Sequence, residues 1–298
     1  MSDKVPVEIE GRRLTLSNLD KPLYPEFVKA EVIDYYSRIA PVLLPHLAGR
    51  PVTRKRFPDG VDGQFFFEKN APSHTPEWIK THELPTPGSS RGYETLNFIV
   101  IDDLPTLVWC ANMAALELHV PQWKVGPRGK VHEPDLMVFD LDPGAPAGIA
   151  EACGVAVLLR DLLDADGLTA YPKTSGGKGM HLYVPVQETG RTSEYAKEAA
   201  ERLAGEHPKH VVSKMDKKLR RDKVFVDWSQ NNPAKTTVAP YSLRAASEPR
   251  VSTPVTWDEV EAAVESGTLR FTAAQVLDRV EEHGDLLAPM AKNHQKLP

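Results

Sequence analysis

Asp140 and Asp142 close the run Leu136-Met137-Val138-Phe139-Asp140-Leu141-Asp142, directly before Pro143-Gly144. Side chains two apart on a strand share a face, about 6.5 Å apart at Cβ. The apolar run predicts a buried strand, and Pro143-Gly144 predicts its end. Two carboxylates would then stand side by side at a strand terminus. They could hold one hard cation at about 2.1 Å per oxygen, and without a cation or basic ligand they would repel. The competing reading is a pair of solvated turn aspartates.

A second cluster is Thr174-Ser175-Gly176-Gly177-Lys178-Gly179-Met180-His181. Glycines let a backbone approach an anion and expose its N–H groups. Ser175 adds a hydroxyl, Lys178 a point charge, and His181 opens the next strand on the face of Tyr183. The spacing is not that of a P-loop, and a plain hairpin turn is the alternative. The third cluster, Lys223 to Asn232, puts Asp227 in an apolar strand, where an unpaired carboxylate is expensive. It needs a salt bridge, to Lys223 or Arg221, or a metal. Asp140, Asp142 and Asp227 together make a ligand set for two divalent ions about 3.5–4 Å apart, as in phosphoryl transfer.

Cations are also concentrated in Arg54-Lys55-Arg56 and between Lys235 and Arg244. The nearby Phe65-Phe66-Phe67 could offer a ring to a nucleic-acid base, worth roughly 1–3 kcal/mol. Alternation sends Phe66 opposite to Phe65 and Phe67, so the three cannot all be buried on one side.

The elements that position these residues follow from periodicity. Glu31 to Leu44 predicts an amphipathic helix ended by Pro45, and Leu104 to Leu116 a buried helix leading to a strand at Glu117-Leu118-His119. Asn97 to Ile101, Thr169 to Lys173, Met180 to Val186 and Lys223 to Trp228 predict strands. Gly148 to Asp166 and Thr192 to Gly205 predict helices, the first with a core face of Val155, Leu158, Leu159 and Leu162. Leu84 to Gly92 predicts an exposed loop. Thr256-Trp257-Asp258-Glu259 is a capping box opening a helix to Ser266, with another from Thr272 to His283. Strands and helices mix irregularly, which predicts an α+β fold rather than an alternating doubly wound sheet.

At 298 residues the chain can hold one large domain or two packed lobes. Its 41% hydrophobic and 26% charged residues are those of a globular protein. A net charge of −5 excludes a global basic field, so any nucleic-acid surface must be a local patch. Cys110 and Cys153 have no metal-site spacing and suit a reducing compartment. The polar start and the lack of a bilayer-length apolar run point to a cytoplasmic protein without membrane contact.

The three clusters, in this order, resemble the motifs of the archaeo-eukaryotic primase superfamily, and in particular the polymerase domain of bacterial ATP-dependent DNA ligase D. The similarity extends to Asn18–Pro25, Gly49–Phe57, Phe66–Lys69, Ala115–Trp123 and Lys235–Arg244, nearly the whole chain. It implies a primase-polymerase core with an RRM-like mixed or antiparallel sheet flanked by helices, plus an N-terminal α/β lobe. The chain would be a single module, with a lobe over about 1–120 for 5′-phosphate and template, a catalytic core over 121–245 and a helical tail over 246–298. Two divalent ions, Mn2+ or Mg2+, would be held by Asp140, Asp142 and Asp227, with Asp227 helping to activate the primer 3′-hydroxyl. Ser175, Lys178, His181, Lys55 and Arg244 would hold the incoming triphosphate, with His119 beside the nucleotide. Phe66 and Phe67 would contact base and template, and Asn18, Lys21 and Lys29 the DNA 5′-phosphate.

The implied activity is a nucleotidyltransferase, a DNA-dependent polymerase filling gaps and ends, preferentially with ribonucleotides, in non-homologous end joining or gap repair. Its partners would be gapped or broken DNA, NTPs or dNTPs, the Ku protein and a separate ATP-dependent ligase, at the nucleoid. The length leaves no room for ligase or phosphoesterase modules, so the expectation is a stand-alone polymerase or a piece of a larger protein. Two alternatives remain. Phe139-Asp140-Leu141-Asp142 also resembles the nucleophile motif of haloacid-dehalogenase phosphohydrolases, but Pro143-Gly144 stands where that family has Gly-Thr. A catalytically silent DNA end-binding module would keep the phosphate pocket and lose synthesis.

Overall fold

The structure, a computed structural model, describes residues 4–86, 92 and 94–298. The chain divides into two compact units. The first comprises Met1–Val131, Thr236–Val251 and Thr272–Gly284; the second comprises His132–Lys235, Ser252–Phe271 and Asp285–Pro298. Residues 246–298, expected as one helical tail, are thus shared between them.

In the first unit the helix Lys29–Leu47 buries Val32, Tyr36, Ile39, Leu43 and Leu47, a stripe at three- and four-residue spacing. It runs past Pro45, contrary to expectation. Proline's fixed φ is helical, and the donor it lacks falls in the last turn, which closes through the Ala48 N–H onto Leu44 O. The helix Leu104–Asn112 starts on Asp103, whose carboxylate accepts from the Thr106 N–H. It stops before Leu116 because Ala114 takes a left-handed φ of 56° and turns the chain into the strand Ala115–Val120. That strand pairs antiparallel with Pro51–Arg56 and with Thr237–Val238. Pro51–Arg56 continues the sheet to Thr95–Val100 and Thr81–Pro85, and pairs separately with Phe66–Glu68. Of the loop expected over Leu84 to Gly92, residues 87–91 lie outside the described residues.

The second unit is built on a five-stranded sheet in the order Tyr171–Thr174, Met180–Pro185, Leu136–Pro143, Val224–Asp227, Val211–Val212. Every pairing is antiparallel except the last. In the aspartate strand, Met137, Phe139 and Leu141 enter the main core with Leu159, Leu163, Ala199 and Leu203 from the helices Ile149–Ala165 and Thr192–Glu206. Leu136 and Val138 pack with Tyr183 in a separate cluster. Alternation puts Asp140 and Asp142 on that second face, further along the same strand. The helix Trp257–Ser266 opens on the expected Thr256–Glu259 capping box. The architecture is α+β with mixed, mainly antiparallel sheets. Among the described residues no helix is long and apolar enough to cross a membrane.

Candidate active site

Asp140 is the cross-strand partner of Asp227 on one side and of His181 on the other, and His181 in turn faces Lys173. Opposed residues of antiparallel strands project to one face, so these side chains form a row across the sheet. His181 Nε2 lies 3.4 Å from Asp140 Oδ1. Gln230 Nε2 lies 3.0 Å from Asp227 Oδ2 and 3.4 Å from Asp140 Oδ2, donating between the two carboxylates. Asp142 meets the Arg220 guanidinium at 3.5 Å. Burial, and then the charge of Asp140, push the Asp142 carboxyl above its ordinary range, with Asp227 adding and Lys178 and Arg220 opposing.

The segment after Asp227 explains its own composition. Asp227 Oδ1 accepts from the Ser229 N–H at 3.0 Å and from the Ser229 hydroxyl, which turns the chain into the 3-10 helix Trp228–Asn231. That turn brings Gln230 back over the carboxylates. Buried Asn231 then takes the place of a strand partner, exchanging two hydrogen bonds with the Val138 backbone. The cation of Asp227 is Lys235, at 3.9 Å, not Lys223 or Arg221. Lys223, before the opposite end of the Val224–Asp227 strand, donates to Pro208 O at 2.6 Å, while the turn after Asp227 carries Lys235 back toward the carboxylate.

The glycine turn sits against the aspartate strand. A Cβ on Gly179 would lie 2.4 Å from Leu141 O, so only glycine permits this approach. The Ser175 hydroxyl accepts from the Gly177 N–H at 3.2 Å and the Gly179 N–H at 3.3 Å. Those two amides therefore serve the turn itself, and Ser175 and exposed Lys178 are the groups it presents.

The donors suit hard divalent cations. Three carboxylates converge from two adjacent strands, and their repulsion is what a doubly charged ion relieves. Ions of the magnesium class are commonly held by one or two carboxylates together with substrate phosphates, rather than by an all-protein cage. Among the described residues no group of three His, Cys, Asp or Glu side chains stands ready as a metal-binding set. Asp142 is turned to Arg220 and Asp227 to Ser229.

A separate cluster forms in the first unit. Lys55 and Glu117 are cross-strand partners, and Phe67 faces Lys55 from the other side. Glu117, with a side chain only 2% exposed, contacts Lys55 Nζ at 3.2 Å, His119 Nε2 at 2.8 Å and Arg244 Nη1 at 3.7 Å. Burial alone would raise the Glu117 carboxyl. The His119 hydrogen bond and the Arg244 and Lys55 charges outweigh burial and hold it at about 2. Burial lowers the His119 imidazole below its ordinary value, against the pull of Glu117. Arg244 is set by tyrosines of the helix Lys29–Leu47 and the strand Pro22–Tyr24: Tyr24 donates to Arg244 O at 3.1 Å, and the Leu243 N–H donates to Tyr36.

Phe65, Phe66 and Phe67 are about half exposed, at 50%, 52% and 52%, so none of the three rings belongs to the core. Phe67 lies on the Lys55 face, its ring edge-on to His119 at 6.1 Å. Phe66 is on the opposite face, beside Glu68. Glu68 clamps the strand by bridging buried Arg54 at 3.2 Å and Arg56 at 2.9 Å.

Asn18, Lys21 and Lys29 come together where the paired strands Pro22–Tyr24 and Phe27–Val28 return the chain to the turn at Asn18. Asn18 takes a left-handed φ of 53°, the Lys21 N–H donates to Asn18 O and the Lys29 N–H to Lys21 O. Lys21 Nζ meets Asp59 at 2.8 Å, and Lys29, only 5% exposed, donates to Ser17 O at 2.6 Å. Burial, then Lys21 and Arg56, lower the Lys29 ammonium to about 8.

The candidate residues thus gather in three places. The three aspartates with Ser175, Lys178 and His181 occupy the second unit; Lys55, His119, Arg244 and Phe67 form one cluster of the first, with Phe66 on the other face of its strand; Asn18, Lys21 and Lys29 form another. Sequence reasoning passed over Gln230, Arg220, Lys173 and Glu117. Gln230 had a signal, three residues past Asp227, and so had Glu117, two residues before His119 on the same strand face. Lys173, buried and bonded to Ser252, had none.

A mixed sheet whose central strand ends in paired aspartates, flanked by a glycine turn and a third aspartate, defines a primase-polymerase type of domain. Residues 28–287 match the family described as "LigD, primase-polymerase domain". The chain is 46% identical over 285 residues to the multifunctional non-homologous end joining protein LigD of Mycolicibacterium smegmatis, covering 93% of this chain and 36% of that protein. It is 32% identical over 292 residues to the bifunctional protein LigD of Bacillus subtilis, covering 96% and 45%. A solved structure, the polymerase domain from Mycobacterium tuberculosis ligase D in complex with DNA, matches with a TM-score of 0.87 and 42% identity, covering 95% of this chain and 99% of that one. The chain belongs to the LigD primase-polymerase domain family, and it spans less than half the length of these full-length relatives.

Proposed function

We propose that the chain is a DNA-dependent nucleotidyltransferase of class EC 2.7.7, acting as a single catalytic module. It fills gaps and extends broken ends, preferentially with ribonucleotides, in non-homologous end joining. The observation that carries this reading is the register that stacks Asp140 between Asp227 and His181.

Asp140, Asp142 and Asp227 would hold two divalent ions, Mn2+ or Mg2+. When bound, such a pair withdraws charge from the attacking hydroxyl and the phosphoryl oxygens. Gln230 and Ser229 fix the Asp227 carboxylate beside Asp140, which readies it to orient the primer 3′-hydroxyl. Ser175, Lys178 and His181 grip the incoming triphosphate, as do Lys55 and Arg244, with His119 beside the nucleotide. Phe66 and Phe67 offer rings to base and template. Asn18, Lys21 and Lys29 hold the 5′-phosphate of a gap or recessed end. Ku, NTPs or dNTPs, and an ATP-dependent ligase are the expected partners, at the nucleoid. In support, relatives carry end-joining names and the solved neighbour was captured on DNA.

Extension of a 5′-phosphorylated gapped duplex, with NTPs against dNTPs and Mn2+ against Mg2+, tests the reading. Asp140→Ala and Asp227→Ala should each abolish extension while DNA binding survives. Extension retained in either variant overturns it.

A further inference from the structure

Glu117 is a carboxylate placed among groups assigned to a polyanion. It cannot itself ligate a phosphate, yet its oxygens divide among all three of those groups. Oε1 takes Lys55 Nζ at 3.2 Å and the Ala245 N–H at 3.1 Å. Oε2 takes His119 Nε2 at 2.8 Å and Arg244 Nη1 at 3.7 Å. The contact with Ala245 ties the carboxylate to the backbone immediately after Arg244.

The surroundings of Lys55 add a second constraint. Its ammonium lies over the rings of Phe65 at 4.4 Å, Phe57 at 5.0 Å and Phe67 at 5.6 Å. An ammonium attracted by three rings and one carboxylate keeps one position. Without the carboxylate, Lys55 and Arg244 would repel, and each long side chain would regain rotamer freedom.

We propose that Glu117 is a positioning residue for nucleoside triphosphate binding. It presets Lys55, His119 and Arg244 in one array before the nucleotide arrives. The inference rests on the assignment of those three groups to the nucleotide. It has a further consequence for His119: a neutral ring donating its Nε2–H to Glu117 keeps Nδ1 as the acceptor. The opposite role for Glu117, a counter-anion that the triphosphate must displace, predicts the reverse change in affinity, so the two separate cleanly.

The test compares Glu117→Gln, Glu117→Asp, Lys55→Ala and Arg244→Ala in the full chain, with the NTP varied on a 5′-phosphorylated gapped duplex. Glu117→Gln should raise KM for the NTP about tenfold and leave kcat within about twofold. Glu117→Asp, which keeps the charge on a shorter stem, should recover part of that loss. Nitrogen NMR should show the His119 Nε2–H tautomer in the parent and its loss in Glu117→Gln. An unchanged KM in a folded Glu117→Gln protein overturns the inference, and a lowered KM assigns the counter-anion role instead. Should circular dichroism show Glu117→Gln unfolded, Glu117→Asp decides, and parental KM with unmoved His119 resonances overturns the inference. If Lys55→Ala and Arg244→Ala also leave KM unchanged, the triphosphate assignment itself fails. If they raise it while Glu117→Gln does not, only the role of Glu117 falls.

Discussion

Asn231 and Val138 exchange two hydrogen bonds, the Asn231 side chain accepting from the Val138 N–H at 2.8 Å and donating to its carbonyl at 2.8 Å. A side-chain amide thereby completes the edge of the aspartate strand where the Val224–Asp227 strand has already ended. The stability of the site depends on this substitution of side chain for strand. Asn231→Ala strands two buried backbone groups, each costing about 1–3 kcal/mol, so urea unfolding should show a loss of about 2–6 kcal/mol. Undiminished stability would refute this account of the motif.

Asp142 carries the cost of burial and, after it, of the like charge of Asp140. Its raised pKa means that folding disfavours the ionised carboxylate, so its contribution to stability falls as pH rises through the folded value. Asp142→Asn should therefore melt higher than the parent near neutral pH, and the gain should vanish in acid, where both forms are uncharged. The same variant should lose any rise in melting temperature that Mn2+ confers on the parent. A lower melting temperature at neutral pH would mean that the Arg220 contact outweighs the repulsion.

Lys29 sets a pH limit on the proposed 5′-phosphate grip. Its ammonium, lowered to about 8 by burial and by Lys21 and Arg56, loses its proton within the working range. Preference for 5′-phosphorylated over unphosphorylated gaps should fall as pH climbs through about 8, measured as the ratio of extension rates. Because folding disfavours charged Lys29, the fold itself gains stability over that rise. A ratio flat across the range would exclude Lys29 from the grip. Lys21→Ala should reduce the same ratio more than basal extension.

Glu68 anchors the exposed phenylalanines through Arg54, which is fully buried. Glu68→Ala leaves that guanidinium without its carboxylate, a change costing about 3–5 kcal/mol when a buried pair is broken. Chemical denaturation should show the loss, and Phe66→Ala, on the same strand, should show little. Equal effects of the two changes would deny the clamp.

Much of the chain was legible without coordinates because its signals are local. Alternation marked the aspartate strand, Pro143-Gly144 its end, and Thr256–Glu259 a helix start. Each depends on residues a few positions apart. Pro45 does not end its helix because proline's fixed φ is itself helical, and one missing N–H bond two residues before the end of a 19-residue helix does not stop it. The helix expected over Leu104 to Leu116 ends sooner, at Asn112, and nothing in its composition announces the left-handed Ala114.

The sequence by itself determined that Asp140 and Asp142 share a face, that a glycine turn precedes His181, and that cations crowd Lys55. These follow from the two-residue strand period and the absent glycine side chain. Tertiary structure alone decided which groups meet. Asp227 came to lie opposite Asp140, Gln230 reached Asp140 from 90 residues away, and Glu117 gathered Lys55, His119 and Arg244. Those contacts are products of strand register and of the turns that return the chain. Register is settled by the packing of whole sheets, which no short stretch of residues encodes.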